Sequence, residues 1–130
     1  MAFEKLIQRV MDSDENIRHC LVADADDSII TLSHREGVSN YLSEAETAVS
    51  MKRASEAWKG RKELAPKIGR GLYAVAVFEK ITRITFPLGD THLLFVSLGG
   101  DQLRQDFHQG GVKQVVEHVL HMLDGDPTTE

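Results

Sequence analysis

Three apolar runs joined by very short links are the feature of this sequence that most constrains its fold. The runs cover residues 72–79, 81–86 and 92–98, and the links lie at residues 79–80 and 87–91. Links of this length cannot hold a crossover helix, so consecutive strands must be antiparallel neighbours. The first run has apolar residues on both of its faces, which is typical of a strand covered on both sides. The sequence therefore predicts an antiparallel meander with a layer packed against each face.

Helices and a hairpin are predicted around this meander. The segments are a helix over 3–11, strands over 18–23 and 28–33, a helix over 44–59 and a helix over 112–123. The resulting order, α-β-β-α-β-β-β-α, predicts an α+β fold with a five-stranded antiparallel sheet and helices on both faces. A chain of 130 residues has room for one domain, which we place at residues 1–124 with a flexible tail at 125–130.

The helix predicted over 44–59 has apolar residues on two sides. Ser43 and Glu46 form the pattern of a capping box at its start, Gly60 is expected to end it, and residues 61–71 are expected to form a loop. One apolar stripe contains Ala45, Ala48 and Val49, and a second contains Met51, Ala54 and Trp58. A surface helix of a monomer needs only one stripe. Two stripes predict that this helix packs on its own sheet and also on a second surface.

The charge distribution narrows the classes of partner. The formal net charge of -5 argues against a general nucleic-acid binder, which needs a basic face. The basic residues nevertheless concentrate between positions 52 and 70, and such asymmetry can attract an acidic partner. The candidate partner-binding residues are Lys52, Arg53, Lys59 and Arg61, with a solvated helix end as the alternative. No apolar run is long enough to insert into a membrane and no signal peptide is evident, so we expect a cytoplasmic protein.

Two clusters could carry chemistry. The Asp-rich segment 24–28 follows an apolar strand, and paired carboxylates there could hold Mg²⁺ and supply a nucleophile, as in Asp-dependent phosphatases. The alternative is a hairpin turn whose aspartates bond their own backbone, and this is the interpretation we favour. His108, His118 and His121 could similarly approach a metal, but a solvated helix face explains them more simply.

The single cysteine, Cys20, lies in a predicted apolar strand, and we expect its thiol to be buried and structural. Neither a phosphate-binding loop nor a nucleophile elbow is present in the sequence. We therefore predict no catalytic residue, no metal site and no cofactor.

Two stretches resemble the roadblock/dynein-light-chain family, and most closely its prokaryotic members that accompany small Ras-like GTPases. Residues 20–30 are similar to the strand, acidic turn and strand of that family, and residues 84–99 to its last two strands and the tight turn between them. With the flanking helices, the similarity covers roughly residues 3–123. One difference is that the family often has glycine after the acidic residue of its first turn, where this chain has Asp27 and Ser28.

The resemblance implies a dimeric, non-enzymatic regulator or scaffold that binds a small Ras-like GTPase. In such dimers the central helix and the edge strand of the meander meet their counterparts. The dimer-interface residues that the resemblance implies are Met51, Ala54, Trp58, Tyr73, Val75 and Val77. A small-molecule sensor of profilin-like or PAS-like architecture, with a ligand between sheet and helix, is an alternative function. An Asp-dependent phosphatase is the third and least favoured alternative.

Overall fold

A computed structural model describes residues 2–99 and 111–125 of the chain. Its elements are α1 (Ala2–Ser13), β1 (Ile17–Asp24), β2 (Ile29–His34), α2 (Glu44–Ile68), β3 (Ala74–Val77), β4 (Thr82–Leu88), β5 (His92–Leu98) and α3 (Val112–Gly125). The predicted order of elements and the α+β class are confirmed. Of the predicted tail, Gly125 is the last residue of α3, and residues 126–130 lie outside the described residues.

The five strands form one antiparallel sheet in the order β2-β1-β5-β4-β3. The predicted β1–β2 hairpin and the β3–β4–β5 meander are both present. Pairing of β1 with β5 joins the hairpin to the meander, with Leu21 opposite Phe95 and Val22 opposite Leu94. This pairing places β2 and β3 at the two opposite edges of the sheet.

The main hydrophobic core lies between one face of the sheet and helices α1 and α3. The predicted stripe of α1, which includes Leu6 and Val10, is buried there, as are Val115 and Val119 of α3. Strand residues such as Phe86 and Leu94 close the core from the sheet side. Burying one large aliphatic side chain contributes about 1.5–3 kcal/mol, so this layer supplies most of the hydrophobic stabilisation.

Helix α2 covers the other face of the sheet, as the two-sided meander required. The apolar cluster beneath it is smaller and consists of Leu21, Ala23 and Met51, with Phe95 packed against it. A single helix cannot cover five strands, because the diameter of a helix with its side chains is only about 10–12 Å and strands lie nearly 5 Å apart. Part of this face therefore stays open.

The capping box at the start of α2 is present. The backbone N–H of Glu46 donates to Oγ of Ser43 at 3.1 Å, and the N–H of Ser43 donates to Oε1 of Glu46 at 2.9 Å. The predicted end at Gly60 is wrong, because the helix continues through residues 61–68, where we expected a loop. A helical glycine costs only about 1 kcal/mol, and the strong helix formers that follow it keep the chain helical.

The actual end of α2 is set by proline and glycine together. Pro66 cannot donate a helical hydrogen bond, and Gly69 takes a φ of 92° while its N–H donates to the carbonyl of Ala65 at 2.8 Å. Two strands also differ from prediction. Strand β3 covers only Ala74–Val77, and β4 extends to Leu88. Among the described residues, no helix combines the length and apolarity of a membrane-spanning segment.

Candidate partner-binding surface

Met51 and Trp58, which we expected at a dimer contact, are buried within their own chain. Their exposed fractions are 4% each. Met51 packs with Leu21 and Ala23 of β1, and the indole Nε1 of Trp58 donates to Oγ1 of Thr85 in β4 at 2.8 Å. The prediction that this stripe faces outward is therefore wrong, because α2 uses it to pack on its own sheet.

The excess apolar surface of α2 belongs to other residues. Val49 is 50% exposed, and Ala45 and Ala48, which complete the other predicted stripe, are also exposed. Leu64 and Ile68, in the part of the helix that extends beyond Gly60, are exposed as well. Helix α2 therefore keeps apolar side chains exposed in the single chain, and the predicted stripe that stays exposed is the one with Ala45, Ala48 and Val49.

A groove runs between α2 and the uncovered part of the sheet, over β5, β4 and β3. Its volume is about 320 Å³. The wall on α2 includes three small side chains, Ser50, Ala54 and Ala57, about one helical turn apart. Thr47, Met51 and Arg61 of the same helix also line the groove. Ala74 and Ala76 of β3 form part of its floor. Because these side chains are small, the backbone of another helix could approach closely.

Of the three predicted helix residues, Ala54 and Met51 line the groove, and Ala54 is the more accessible because Met51 is only 4% exposed. Ser50 and Ala57 were missed, although the spacing of small residues at positions 50, 54 and 57 is visible in the sequence. This spacing of small residues is less evident than the neighbouring stripe, because that stripe contains the bulkier Met51 and Trp58.

Strand β3 forms one open edge of the sheet. It pairs with β4 on one side, and no described strand lies on its other side. Val75 is partly buried against the main core, whereas Tyr73 and Val77 are 43% and 46% exposed. The ring of Tyr73 lies 6.1 Å from the ring of Phe86, centroid to centroid. An unpaired edge with exposed apolar residues is a template for pairing with another strand.

The predicted basic residues do not form one patch. Lys52, Arg53, Lys59 and Arg61 are all exposed on α2. Lys52 and Lys59 are two turns apart and share one side of the helix, whereas Arg53 lies well round from them. The guanidinium carbon of Arg61 lies over the ring of Trp58 at 4.7 Å from its centroid. Only Lys52 and Lys59 are placed to meet one partner surface together.

A histidine pair lies at the end of the groove. The rings of His19 and His34 stack with centroids 5.8 Å apart, and His19 lines the groove beside Arg83. Burial, followed by the positive charge of His34 and of the nearby Arg18 and Arg83, lowers the pKa of His19 to about 4. The ring of His19 is therefore neutral at physiological pH, which suits a surface that must be desolvated by a partner.

The residues considered for catalysis adopt structural roles. Oδ1 of Asp24 accepts hydrogen bonds from the backbone N–H groups of Asp26 and Ser28, as the favoured turn interpretation requires. The antiparallel sheet is also not the doubly wound parallel sheet that the phosphatase hypothesis needs. Cys20 is buried, and burial raises the pKa of its thiol to about 12, which suppresses the nucleophilic thiolate.

The histidines do not assemble into a metal site in the part of the chain that the structure describes. His118 and His121 are exposed on α3, and His108 lies outside the described residues. Within residues 2–99 and 111–125, no three His, Cys, Asp or Glu side chains are grouped to hold a metal ion.

The order of elements and the sheet order define the Roadblock/LC7 fold. Among solved structures, MglC from Myxococcus xanthus is similar over 99% of this chain and 98% of its own, with a TM-score of 0.61 and 15% identity. A structure titled MglB with tetrameric arrangement covers 95% of this chain and 83% of its own, with a TM-score of 0.68 and 13% identity.

A Roadblock/LC7 domain from Streptomyces avermitilis has a TM-score of 0.63 at 10% identity, and the match covers 93% of this chain and 91% of that domain. No family model and no curated protein matches the sequence. At these identities the comparisons establish the fold, and the resemblance seen in the sequence is confirmed at that level.

Proposed function

We propose that this chain is a homodimeric, non-enzymatic regulator or scaffold that binds a small Ras-like GTPase in the cytoplasm. The observation that carries the proposal is the surface formed by the open edge of β3 and the adjacent groove beside α2. The roadblock resemblance of the sequence points to the same elements, the central helix and the edge strand. We use the name α2–β3 surface for Ser50, Ala54, Ala57, Ala74, Ala76 and Val77.

A second copy of the chain fits this surface for two physical reasons. Two β3 edges can pair through their unused backbone groups and so extend the sheet across the dimer. The groove then lies beside the joined edge, where the α2 helix of the second copy can fill it. Close approach of two helices requires small residues at the contact, and the wall at Ser50, Ala54 and Ala57 provides them.

The GTPase contact is assigned to the opposite side of α2. Lys52 and Lys59 lie on that side, together with the exposed Ala48. A surface that combines exposed apolar area with cations can attract an acidic partner and then bury part of the contact. Such an arrangement leaves the α2–β3 surface free for dimerisation.

The test is direct binding of purified GTPases. Small Ras-like GTPases encoded in the same genome are loaded with GDP or with a nonhydrolysable GTP analogue, and binding is measured by biolayer interferometry. We expect at least one to bind, and the double variant Lys52→Glu, Lys59→Glu to weaken binding about tenfold or more through charge reversal. The matched control is Lys113→Glu on α3, which should bind as the parent does.

Two outcomes would count against the assignment. If no GTPase binds in either nucleotide state, the GTPase part of the proposal is wrong even if the protein is a dimer. If Lys113→Glu weakens binding as much as the α2 variant, the effect is one of net charge and the contact lies elsewhere.

A further inference from the structure

A second cavity lies beneath the C-terminal half of α2. It is bounded by the end of β1, the α2–β3 link and the turn between β4 and β5, and its volume is about 310 Å³. That volume is at the lower end of the range of roughly 300–1,000 Å³ typical of small-molecule sites. One wall comes from α2, in part from its predicted region (Ser55, Trp58 and Lys59) and in part from its extension beyond Gly60 (Arg61, Lys62 and Ala65).

The charged residues that line this cavity are mainly basic. Lys59, Arg61 and Lys62 from α2 and Arg70 from the link contribute four cationic side chains, against the carboxylates of Asp24 and Asp90. Oδ1 of Asp24 is already engaged by two backbone N–H groups of its own turn, at 2.9 and 3.0 Å. Nζ of Lys62 donates to the backbone carbonyl of Asp90, which holds this lysine at the rim.

Trp58 provides an aromatic wall that is fixed before any ligand binds. Its Nε1 is satisfied by Thr85, and the guanidinium of Arg61 lies over its ring. The backbone of Gly71 is so close to the indole that a Cβ there would lie 2.6 Å from Cζ3. A preformed apolar wall beside cations lowers the entropic cost of binding and strengthens charge-assisted hydrogen bonds.

We propose that this cavity binds a small phosphate-bearing molecule. Several cations match the multiple negative charges of a phosphate, and the arginine fork and the lysine point charge are the side chains that recognise it. The cavity shares Lys59 with the proposed GTPase contact and Arg61 with the groove, but its proposed ligand binds without a GTPase partner. It gives the chain a ligand of its own, between sheet and helix.

The experiment uses the intrinsic fluorescence of Trp58, which is the only tryptophan of the chain. The protein is titrated with inorganic pyrophosphate and, separately, with ribose 5-phosphate, up to about 10 mM, and potassium chloride at equal ionic strength serves as the reference. We expect a saturable change in emission with at least one phosphate probe. Isothermal titration calorimetry on the same samples gives an independent dissociation constant.

The variants Lys62→Gln and Arg70→Gln should each weaken binding about tenfold, since each removes one charge-assisted contact. Lys5→Gln, on the exposed face of α1, is the matched control and should bind as the parent does. Far-ultraviolet circular dichroism verifies that each variant is folded, and Arg70→Gln, outside the helix, is the safer of the two. The proposal is overturned if neither probe binds, if chloride reproduces the change, or if Lys5→Gln weakens binding equally.

Discussion

Nε1 of Trp58 donates a hydrogen bond of 2.8 Å to Oγ1 of Thr85, which fixes α2 on the face of β4. The same indole is almost fully buried and is bounded by Gly71 and Arg61. Trp58 therefore serves the internal packing of one chain. This contact and the packing of Met51 on β1 hold α2 on the sheet, beside the groove and the second cavity.

Replacement of Trp58 should destabilise the folded chain itself. Trp58→Glu places a charge against the sheet and should lower the free energy of unfolding by about 3 kcal/mol or more, measured by urea denaturation. Trp58→Phe should cost about 1–3 kcal/mol, because it leaves the hydroxyl of Thr85 without its donor. Val49→Glu on the solvent side of α2 is the control and should change stability by less than about 0.5 kcal/mol. An unchanged urea midpoint for Trp58→Glu would show that the indole is not part of the core.

The sequence predicts the fold well because each element carries its own local signal. The capping box of Ser43 and Glu46, the apolar stripe of α1 and the short links of the meander need no long-range information. The burial of Met51 and Trp58 could not be predicted in this way. Periodicity shows that two stripes exist, but which stripe meets the sheet depends on long-range contacts, those of Met51 with β1 and of Trp58 with β4. Helix α2 extends past Gly60 because a single glycine costs a helix only about 1 kcal/mol and does not by itself end it.

Self-association should be sensitive to charge on the groove wall. Ala57 is exposed in the single chain and lines the groove, so Ala57→Glu should leave the fold intact and shift the protein from dimer to monomer. Burying an uncompensated carboxylate at an interface weakens association by about 2 kcal/mol or more. Sedimentation velocity at micromolar concentration measures the shift, with Ala48→Glu on the opposite side of α2 as the control. A parent protein that sediments as a monomer would contradict the dimer proposal.

Proline substitutions in β3 can distinguish its pairing with a second copy of the chain from its hydrogen bonding to β4 within the same chain. The N–H of Phe78 donates to the carbonyl of Ile81, so by alternation the N–H of Ala76 also points toward β4, whereas that of Val77 points away. Val77→Pro should therefore weaken the dimer with little loss of stability. Ala76→Pro should lower the melting temperature further, because it removes a hydrogen bond within the sheet. Equal dimerisation of Val77→Pro and the parent would exclude pairing through β3.

The first hairpin turn is strained at Asp27, which takes a φ of 64° where the roadblock pattern often has glycine. Aspartate tolerates this conformation better than most residues, but glycine adopts it without a steric cost. Asp27→Gly should raise the free energy of unfolding by about 0.5 kcal/mol, and Asp27→Ala should lower it by about 1 kcal/mol. Thermal denaturation of the three proteins gives the ranking, and greater stability of the alanine variant would contradict this account of the turn.

His19 should make the stability of the fold depend on pH. The rings of His19 and His34 are stacked, and Arg18 and Arg83 add positive charge beside them. Burial first, and then these charges, lower the pKa of His19 from 6.5 to about 4 in the folded chain. Between these values the unfolded chain binds a proton that the folded chain does not, so stability falls as the pH is lowered from 6.5 toward 4. Well above pH 6.5 and well below pH 4, His19 does not make the free energy of unfolding depend on pH.

The expected loss is about 2 kcal/mol, which is less than the full difference in pKa would give because the ring is partly exposed. Carboxylates also titrate near pH 4, so the informative quantity is the difference between the parent and His19→Gln across the pH range. As the pH falls from 6.5 to 4, the free energy of unfolding should fall more for the parent than for His19→Gln. The difference between the two free energies should therefore change within this range, in favour of the variant. His34→Gln removes one neighbouring charge and should reduce that loss only in part. Parallel curves for the parent and His19→Gln would show that burial does not hold this imidazole neutral.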